Sequence, residues 1–268
     1  MSPLKHPGWD GGCHTLAADH VEAYARATAG AEQARLGVPP MLHARLMRNL
    51  LFAVMQDRSA GMDFGKLLHA SHHATFHRPL RIDDALSCSG SLTALTEHAT
   101  GRLLRAHLVG EVAGEPVVTC ETAFFSRYKV GAPPPPVAPR EDLGAPTWHE
   151  VLDLPDDASV RYSAASLDDN PLHVDLAAAR RAGFGGRVLH GLCTLACTAS
   201  LLTRHAAGGD PNRLLTIGGR FTRPVLSGSP LEVRGWDLGG GRWALETVGS
   251  DGQPVFSAAT ATLAPPCP

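Results

Sequence analysis

Long apolar runs are absent from the sequence. The charge-free stretch from Val188 to Thr203 is shorter than the roughly 20 residues a spanning helix needs, and it contains His190 and several hydroxyls. No membrane partner is therefore expected. Charge of one sign is also missing. The net charge is −2 over 268 residues, and neither a basic face for nucleic acid nor a like-charged tail stands out. Cysteine is sparse and unpaired in spacing: Cys13, Cys88, Cys120, Cys193, Cys197 and Cys267 include no C-x-x-C. That scatter argues against a disulfide framework and for a reduced, cytoplasmic setting, and the opening MSPLKHPGWDGG holds no apolar run suited to secretion. A Gly-x-Ser-x-Gly elbow and a phosphate loop are both lacking. Gly239-Gly240-Gly241 falls between two strand patterns, EVRGWDL and RWALETV, so it is expected to be a hairpin turn and not a dinucleotide loop. His69, His73 and His77 would share one strand face, but a structural zinc site normally needs four ligands, and no metal site is assigned.

What the sequence does have is order, repeated twice. Residues 1–18 read as an irregular lead-in. A short amphipathic helix follows from Asp19, with Val21, Tyr24 and Ala25 or Ala27 inward, closed by Gly30. Pro39-Pro40 then precedes MLHARLMRNLLFAVMQ, which predicts one longer helix. From Leu67 to Tyr128 the period is two, with turn signals at His98–Gly101 and Ala113-Gly114, so antiparallel strands are expected. Lys129 to Pro146 is proline-rich and reads as an extended spacer. The second half repeats the sequence of short helix, turn, buried helix and strands. Phe76-His77-Arg78-Pro79 with Leu86 corresponds to Phe221-Thr222-Arg223-Pro224 with Leu231, and Tyr24 corresponds to Tyr162. Two units, each too small to cover its own central helix, imply one pseudo-symmetric α+β body, divided as 1–128, a linker at 129–146, and 147–268. Arg78 and Arg223, each before a proline, are expected to hold carboxylates within the fold.

Reactive groups concentrate between Ser166 and Thr194, SLDDNPLHVDLAAARRAGFGGRVLHGLCT. Asp168 and His173 flank an Asn170-Pro171 turn. On a regular helix a five-residue separation would point them about 140° apart, so only the turn lets them converge. Asn170 is a favoured N-cap and Pro171 fits the first helical position, which predicts a short helix from there to Gly183. An Asp followed by Asn-Pro is also an ordinary capping signal, and a purely structural role is the competing reading. His190-Gly191 then opens LCTLACTASLL, a charge-free run with no polar face and so a buried helix. Its first N–H groups, Gly191 among them, would be free to meet developing negative charge. A carboxylate, an imidazole and an open helix start suit proton chemistry beside a carbonyl. His190 either touches the reacting group or serves as a structural hydrogen-bonder. Cys193 and Cys197, one turn apart, read mainly as small apolar packing groups, and Asp169 and Asp175 as solvent-facing.

The series Asp-x-Asn-Pro-Leu-His, the alanine-rich short helix, Gly-Phe, and Leu-His-Gly-Leu-Cys-Thr resembles the MaoC-type, (R)-specific enoyl-CoA hydratases of the hydratase-2 group. The likeness is strong from Tyr162 to about Leu201 and weaker across the first half. It implies a double hot dog, two helix-plus-sheet repeats sharing one antiparallel sheet, with a single active site in the second repeat. In the first repeat Gly30 stands where Asp168 would, and no Asn-Pro-x-His follows. The resemblance implies hydration of trans-2-enoyl thioesters, or the reverse dehydration, on a coenzyme A or carrier-protein handle, without metal or redox cofactor. Asp168 and His173 would share the proton transfers, with the order between them open. Gly191 would offer the oxyanion N–H and Asn170 would orient the turn, while Ser166, Leu167, His190 and Cys193 are the substrate-side candidates. A hot-dog thioesterase and a non-catalytic acyl-binding subunit are the alternatives, and a homodimer or larger homo-oligomer is expected. Two positions depart from the family pattern. Leu167 replaces the usual glycine, where its side chain is expected to intrude on substrate or water, and Arg187 replaces a common proline.

Overall fold

The computed structural model describes residues 6–129 and 143–266. Most of the proline-rich spacer anticipated at 129–146 lies outside them. Apolar alternation and tight turns build ten strands into one antiparallel sheet. In the first half these are β1 (Trp9–Thr15), β2 (Leu67–Phe76), β3 (Ala85–His98), β4 (Gly101–Val112) and β5 (Glu115–Arg127). In the second they are β6 (Trp148–Leu152), β7 (Leu214–Phe221), β8 (Leu231–Asp237), β9 (Arg242–Val248) and β10 (Pro254–Leu263). Their spatial order is β1-β3-β4-β5-β2-β7-β10-β9-β8-β6, which reads the same from either end once five is subtracted from the second half's labels. This is the double hot-dog arrangement. The halves join along β2 and β7, from Ser71 opposite Arg220 to Thr75 opposite Thr216.

The helices repeat as well. α1 (Ala18–Ala27) buries Val21, Tyr24 and Ala25, and α4 (Ala158–Ser166) is its counterpart. Each ends in a left-handed residue, Ala29 at φ 57° and Leu167 at φ 63°, immediately before the paired positions Gly30 and Asp168. Tyr24 and Tyr162 meet at the pseudo-twofold. Tyr24 donates its hydroxyl to Met41 O at 2.8 Å, and the two phenolic oxygens are 3.2 Å apart. Both rings are almost wholly buried, a contribution of roughly 2–3 kcal/mol each from area alone. The long helix α7 (Gly191–Ala206) is buried without interruption from Leu192 to Thr203, as a helix lacking a polar face must be.

Four sequence expectations need correction. The lead-in contains a strand: β1 pairs with β3, and its glycines, which obscured it, permit close packing, since a Cβ on Gly11 would come within 2.7 Å of Leu50 Cβ. The helix expected after Pro40 is two segments, α2 (His43–Leu46) and α3 (Arg48–Met55), parted at Met47, where φ is −91° and ψ 9°. The helix expected to reach Gly183 is also two, α5 (Pro171–Val174) and α6 (Leu176–Arg181). Asp175 turns extended between them and caps the second, accepting from the N–H groups of Ala177 and Ala178. Finally, a bulge between His69 and Ser71 resets the strand alternation. His69 therefore lies beside His72, ring centroids 5.6 Å apart, while His73 lies on the opposite face of β2 from buried His72. Other expectations agree with the geometry. Gly239, Gly240 and Gly241 turn the β8–β9 hairpin at positive φ, Arg78 grips Asp84 through two bonds of 2.8 Å, and Arg223 pairs with Asp251.

Candidate active site

Asp168, Asn170 and His173 are held by a relay of local bonds. The buried Ser166 hydroxyl accepts from Asp168 N at 3.3 Å, Asp168 Oδ1 accepts from Asn170 N at 3.3 Å, and Asn170 Oδ1 caps α5 through Leu172 N at 3.1 Å. Proline at the next position fixes the helical entry. His173, in the first turn, donates Nδ1–H to Val188 O at 2.7 Å, and Val188 N returns a bond to Leu172 O. That bond settles the tautomer, leaving Nε2 with a free lone pair. His190, at the start of α7, donates Nε2–H to Asp168 O at 3.0 Å and stacks on His173 with ring centroids 3.6 Å apart. A carboxylate oxygen of Asp168 and one nitrogen each of His173 and His190 fall within 4.8 Å of one another. One water molecule can bridge groups at such a separation.

These groups open into a cavity of about 550 Å³. Asp168, Asn170, His173, His190, Gly191 and Ser166 all line it. The opposite wall comes from the first half, which the sequence did not mark as part of the site: Leu51, Phe52 and Met55 of α3, with Leu67, His69 and Phe124 of the sheet. Only the bulge in β2 brings His69 there, stacked on Phe124 at 4.5 Å and 4.9 Å from the Phe221 ring. Phe221 in turn approaches the start of α7 so closely that a Cβ on Gly191 would sit 3.2 Å from its ring, so glycine keeps the first N–H groups of the helix accessible. Tyr162, recognised in the sequence only as a repeat mate, also lines the cavity and lies 4.9 Å from the His190 ring.

Burial sets the electrostatics. It raises the pKa of Asp168 against the opposing pull of His173, and lowers that of His173 against the opposing pull of Asp168. Both shifts favour the uncharged pair, a carboxylic acid beside a neutral imidazole, over an ion pair. Burial lowers His190 well below the ordinary imidazole range, and neighbouring His173 lowers it further. His190 is thus a neutral spacer that fixes the Asp168 backbone.

Two substrate-side expectations are not met. Cys193 is fully buried and absent from the cavity lining. Leu167 is 48% exposed and also absent from that lining, because the left-handed turn swings its side chain outward. Arg48, which also lines the cavity, braces the turn, donating to Leu167 O at 2.8 Å and to Asp169 at 2.9 Å. The cost of leucine here is backbone strain, about 1–2 kcal/mol for a non-glycine residue in this region. Leu167→Gly is accordingly expected to raise the melting temperature by a few degrees and leave turnover close to that of the parent chain. Loss of turnover with an unchanged melting curve would show that the side chain serves the site after all.

Residues 136–255, which hold these groups, match the MaoC like domain family, and residues 13–120 match the FAS1-like dehydratase domain region. The chain is 25% identical over 237 residues to a protein of Dictyostelium discoideum named probable enoyl-CoA hydratase 2, covering 84% of this chain and 80% of that one. It is 29% identical over 197 residues to 3-hydroxyacyl-thioester dehydratase Y of Mycobacterium tuberculosis, covering 69% of this chain and 68% of the relative. The crystal structure of a MaoC-like dehydratase from Phytophthora capsici shares the fold, with a TM-score of 0.85 at 20% identity over 98% of each chain. With matches of dehydratase type in both halves and an Asp/His site in the second, the chain carries a MaoC-like dehydratase domain joined to a FAS1-like dehydratase region.

Proposed function

We propose that the protein adds water to trans-2-enoyl thioesters and, in reverse, dehydrates (R)-3-hydroxyacyl thioesters. The observation that carries this reading is the placement of Asp168 and His173 within bridging distance of one water, beside the open start of α7. His173 Nε2 takes a proton from the water as its oxygen bonds to C3. Asp168, held toward its neutral form, delivers a proton to C2. The thioester oxygen gains charge as the double bond is lost, and Gly191 N–H receives it. The Val188 carbonyl keeps the His173 Nδ1 proton in place throughout. A proton passed from imidazolium back to carboxylate restores the starting pair, and the shifts of both groups keep that return inexpensive.

The acyl chain runs along the apolar wall of Leu51, Phe52, Met55 and Phe124, while the exposed Arg105 and Arg223 on the cavity lining suit the phosphates of a coenzyme A or phosphopantetheine handle. A cytoplasmic setting and a homodimer or larger homo-oligomer belong to the same reading. The five described cysteines are free, which suits a reducing compartment, and among the described residues no helix is long and apolar enough to cross a membrane.

The direct experiment follows a short trans-2-enoyl-CoA by loss of enoyl absorbance, with thiol release measured in the same sample and the product's configuration determined. An (R)-3-hydroxyacyl product with no free thiol is expected. Thiol release without hydration would instead make the protein a thioesterase. Met55→Trp narrows the apolar wall, so kcat/KM for an eight- or ten-carbon acyl chain is expected to fall about tenfold or more while a four-carbon substrate is little affected. Equal losses at all lengths would mean that the chain does not lie there.

A further inference from the structure

In the first repeat, away from the site just described, three donor side chains converge in the sealed core. His43 from α2, His72 from β2 and Cys120 from β5 are 0%, 1% and 1% exposed. Strand register explains the meeting. Cys120 lies opposite Ala74 and His72 opposite Thr122, so His72 and Cys120 are diagonal neighbours on the inner face, and the small side chain of Ala74 leaves room between them. His43 descends onto this space from the helix, its ring 5.4 Å from that of His72 and inclined by 15°. One nitrogen from each imidazole and the Cys120 sulfur lie within 4.8 Å of one another. We propose that His43, His72 and Cys120 form a closed binding site for one Cu(I) ion.

The hydrogen bonding favours a cation over a finished polar network. His43 donates Nδ1–H to Pro40 O at 3.0 Å, the outer bond that orients a metal-binding imidazole, and so presents Nε2 as a bare lone pair. That atom is 3.1 Å from His72 Nε2, and a single proton lies between them. His72 Nδ1 has no partner in the core. A cation about 2 Å from each nitrogen in trigonal geometry needs them roughly 3.4 Å apart, an opening of a few tenths of an ångström. On binding, His72 moves its proton from Nε2 to Nδ1 and the Cys120 S–H proton leaves to solvent. Two Cu–N bonds and one Cu–S bond form without electron transfer. Charge selects the ion. Two neutral imidazoles and a thiolate give an uncharged complex with a monovalent cation, whereas a dication would leave one unit of charge in a dry core. Three donors including a thiolate also suit soft, three-coordinate Cu(I) better than four-coordinate zinc.

The test uses the full chain, produced in copper-supplemented medium, purified anaerobically and incubated with Cu(I) before desalting. Retained copper is counted by mass spectrometry and its ligands are read by X-ray absorption. About one copper per chain is expected, with one sulfur and two imidazole nitrogens, falling at least tenfold in Cys120→Ser. The absorption spectrum of the parent chain decides the matter even if that variant does not fold. Folded parent chain without retained copper overturns the proposal, as does preference for zinc. So does a shell of two sulfurs, which would assign the metal to Cys193 and Cys197 on α7.

Discussion

Replacing Asp168 by Asn lowers kcat for enoyl-thioester hydration by about a hundredfold to ten thousandfold, the range over which a positioned acid or base acts. His173→Ala falls in the same range, corresponding to roughly 3–5 kcal/mol of transition-state stabilisation. KM is expected to change little, because neither group has to grip the thioester in its ground state. The two losses do not add. Acid and base work on one water, so the double variant should be about as slow as the slower single variant. The fold provides a built-in control. Asn at 168 can still accept the Asn170 N–H, so the turn survives, and the adjacent Asp169 is 74% exposed, bonded to Arg48 and absent from the cavity lining. Asp169→Asn should therefore retain nearly full turnover. Steady-state kinetics on the four variants, with circular dichroism for folding, measure this directly. Near-normal turnover in Asp168→Asn would remove the carboxyl from the chemistry and with it the water-bridging mechanism.

The convergence of this pair was legible in the sequence because it is local. Asn170 as cap, Pro171 as first helical residue and His173 in the first turn are decided within six positions, and each acts through bonds to its near neighbours. Where local signals competed, the reading failed. The alanines after Leu176 outweighed the equally good cap at Asp175, and the glycines of β1 hid a strand that only pairing with β3 defines. Met47 carries no breaker signal, so the division of α2 from α3 was invisible. A helix apolar all round gives no indication of which face meets a cavity, and Cys193 proved to be on the wrong one. Leu167 was read from its size, but the sign of its φ decides where the side chain goes. The first-half wall is the largest omission. Leu51, Phe52 and Phe124 are ordinary core residues in sequence and become a binding surface only when two repeats close on each other. The first repeat kept the left-handed turn at Ala29 and the paired Tyr24, yet its acid position is Gly30. Its backbone parallels that of the second repeat, but it contributes a wall of the cavity and no acid.

Acidification from pH 7.5 to pH 5 is expected to destabilise the chain by at least about 4 kcal/mol and lower its melting temperature by roughly 10 °C or more. The cause lies in the buried imidazoles. Burial lowers His69 to about 3 and His43 to about 4, and lowers His72, His173 and His190 as well. A group with a folded pKa below 6.5 binds its proton more weakly in the folded chain than in the unfolded one. Between 6.5 and the folded value the unfolded chain therefore holds more protons, and stability is lost as pH falls. At pH 5, 1.5 units below the ordinary value, an imidazole whose folded pKa lies below 5, as those of His69 and His43 do, costs about 2 kcal/mol. His69 and His173 meet cavity water, which reduces their shares. Asp168 acts in the opposite sense: its raised pKa lets the folded chain take up a proton first, returning part of the loss as pH approaches that value. The lowered imidazoles outweigh the one carboxyl and leave a net loss that is a large fraction of the 5–15 kcal/mol usual for a folded domain. Thermal unfolding across this pH range measures the effect, and His69→Asn identifies its source by flattening the dependence by up to about 2 kcal/mol. A melting temperature that holds steady to pH 5 would mean that the imidazoles are protonated in the folded chain, and a charged His173 could not take the water's proton.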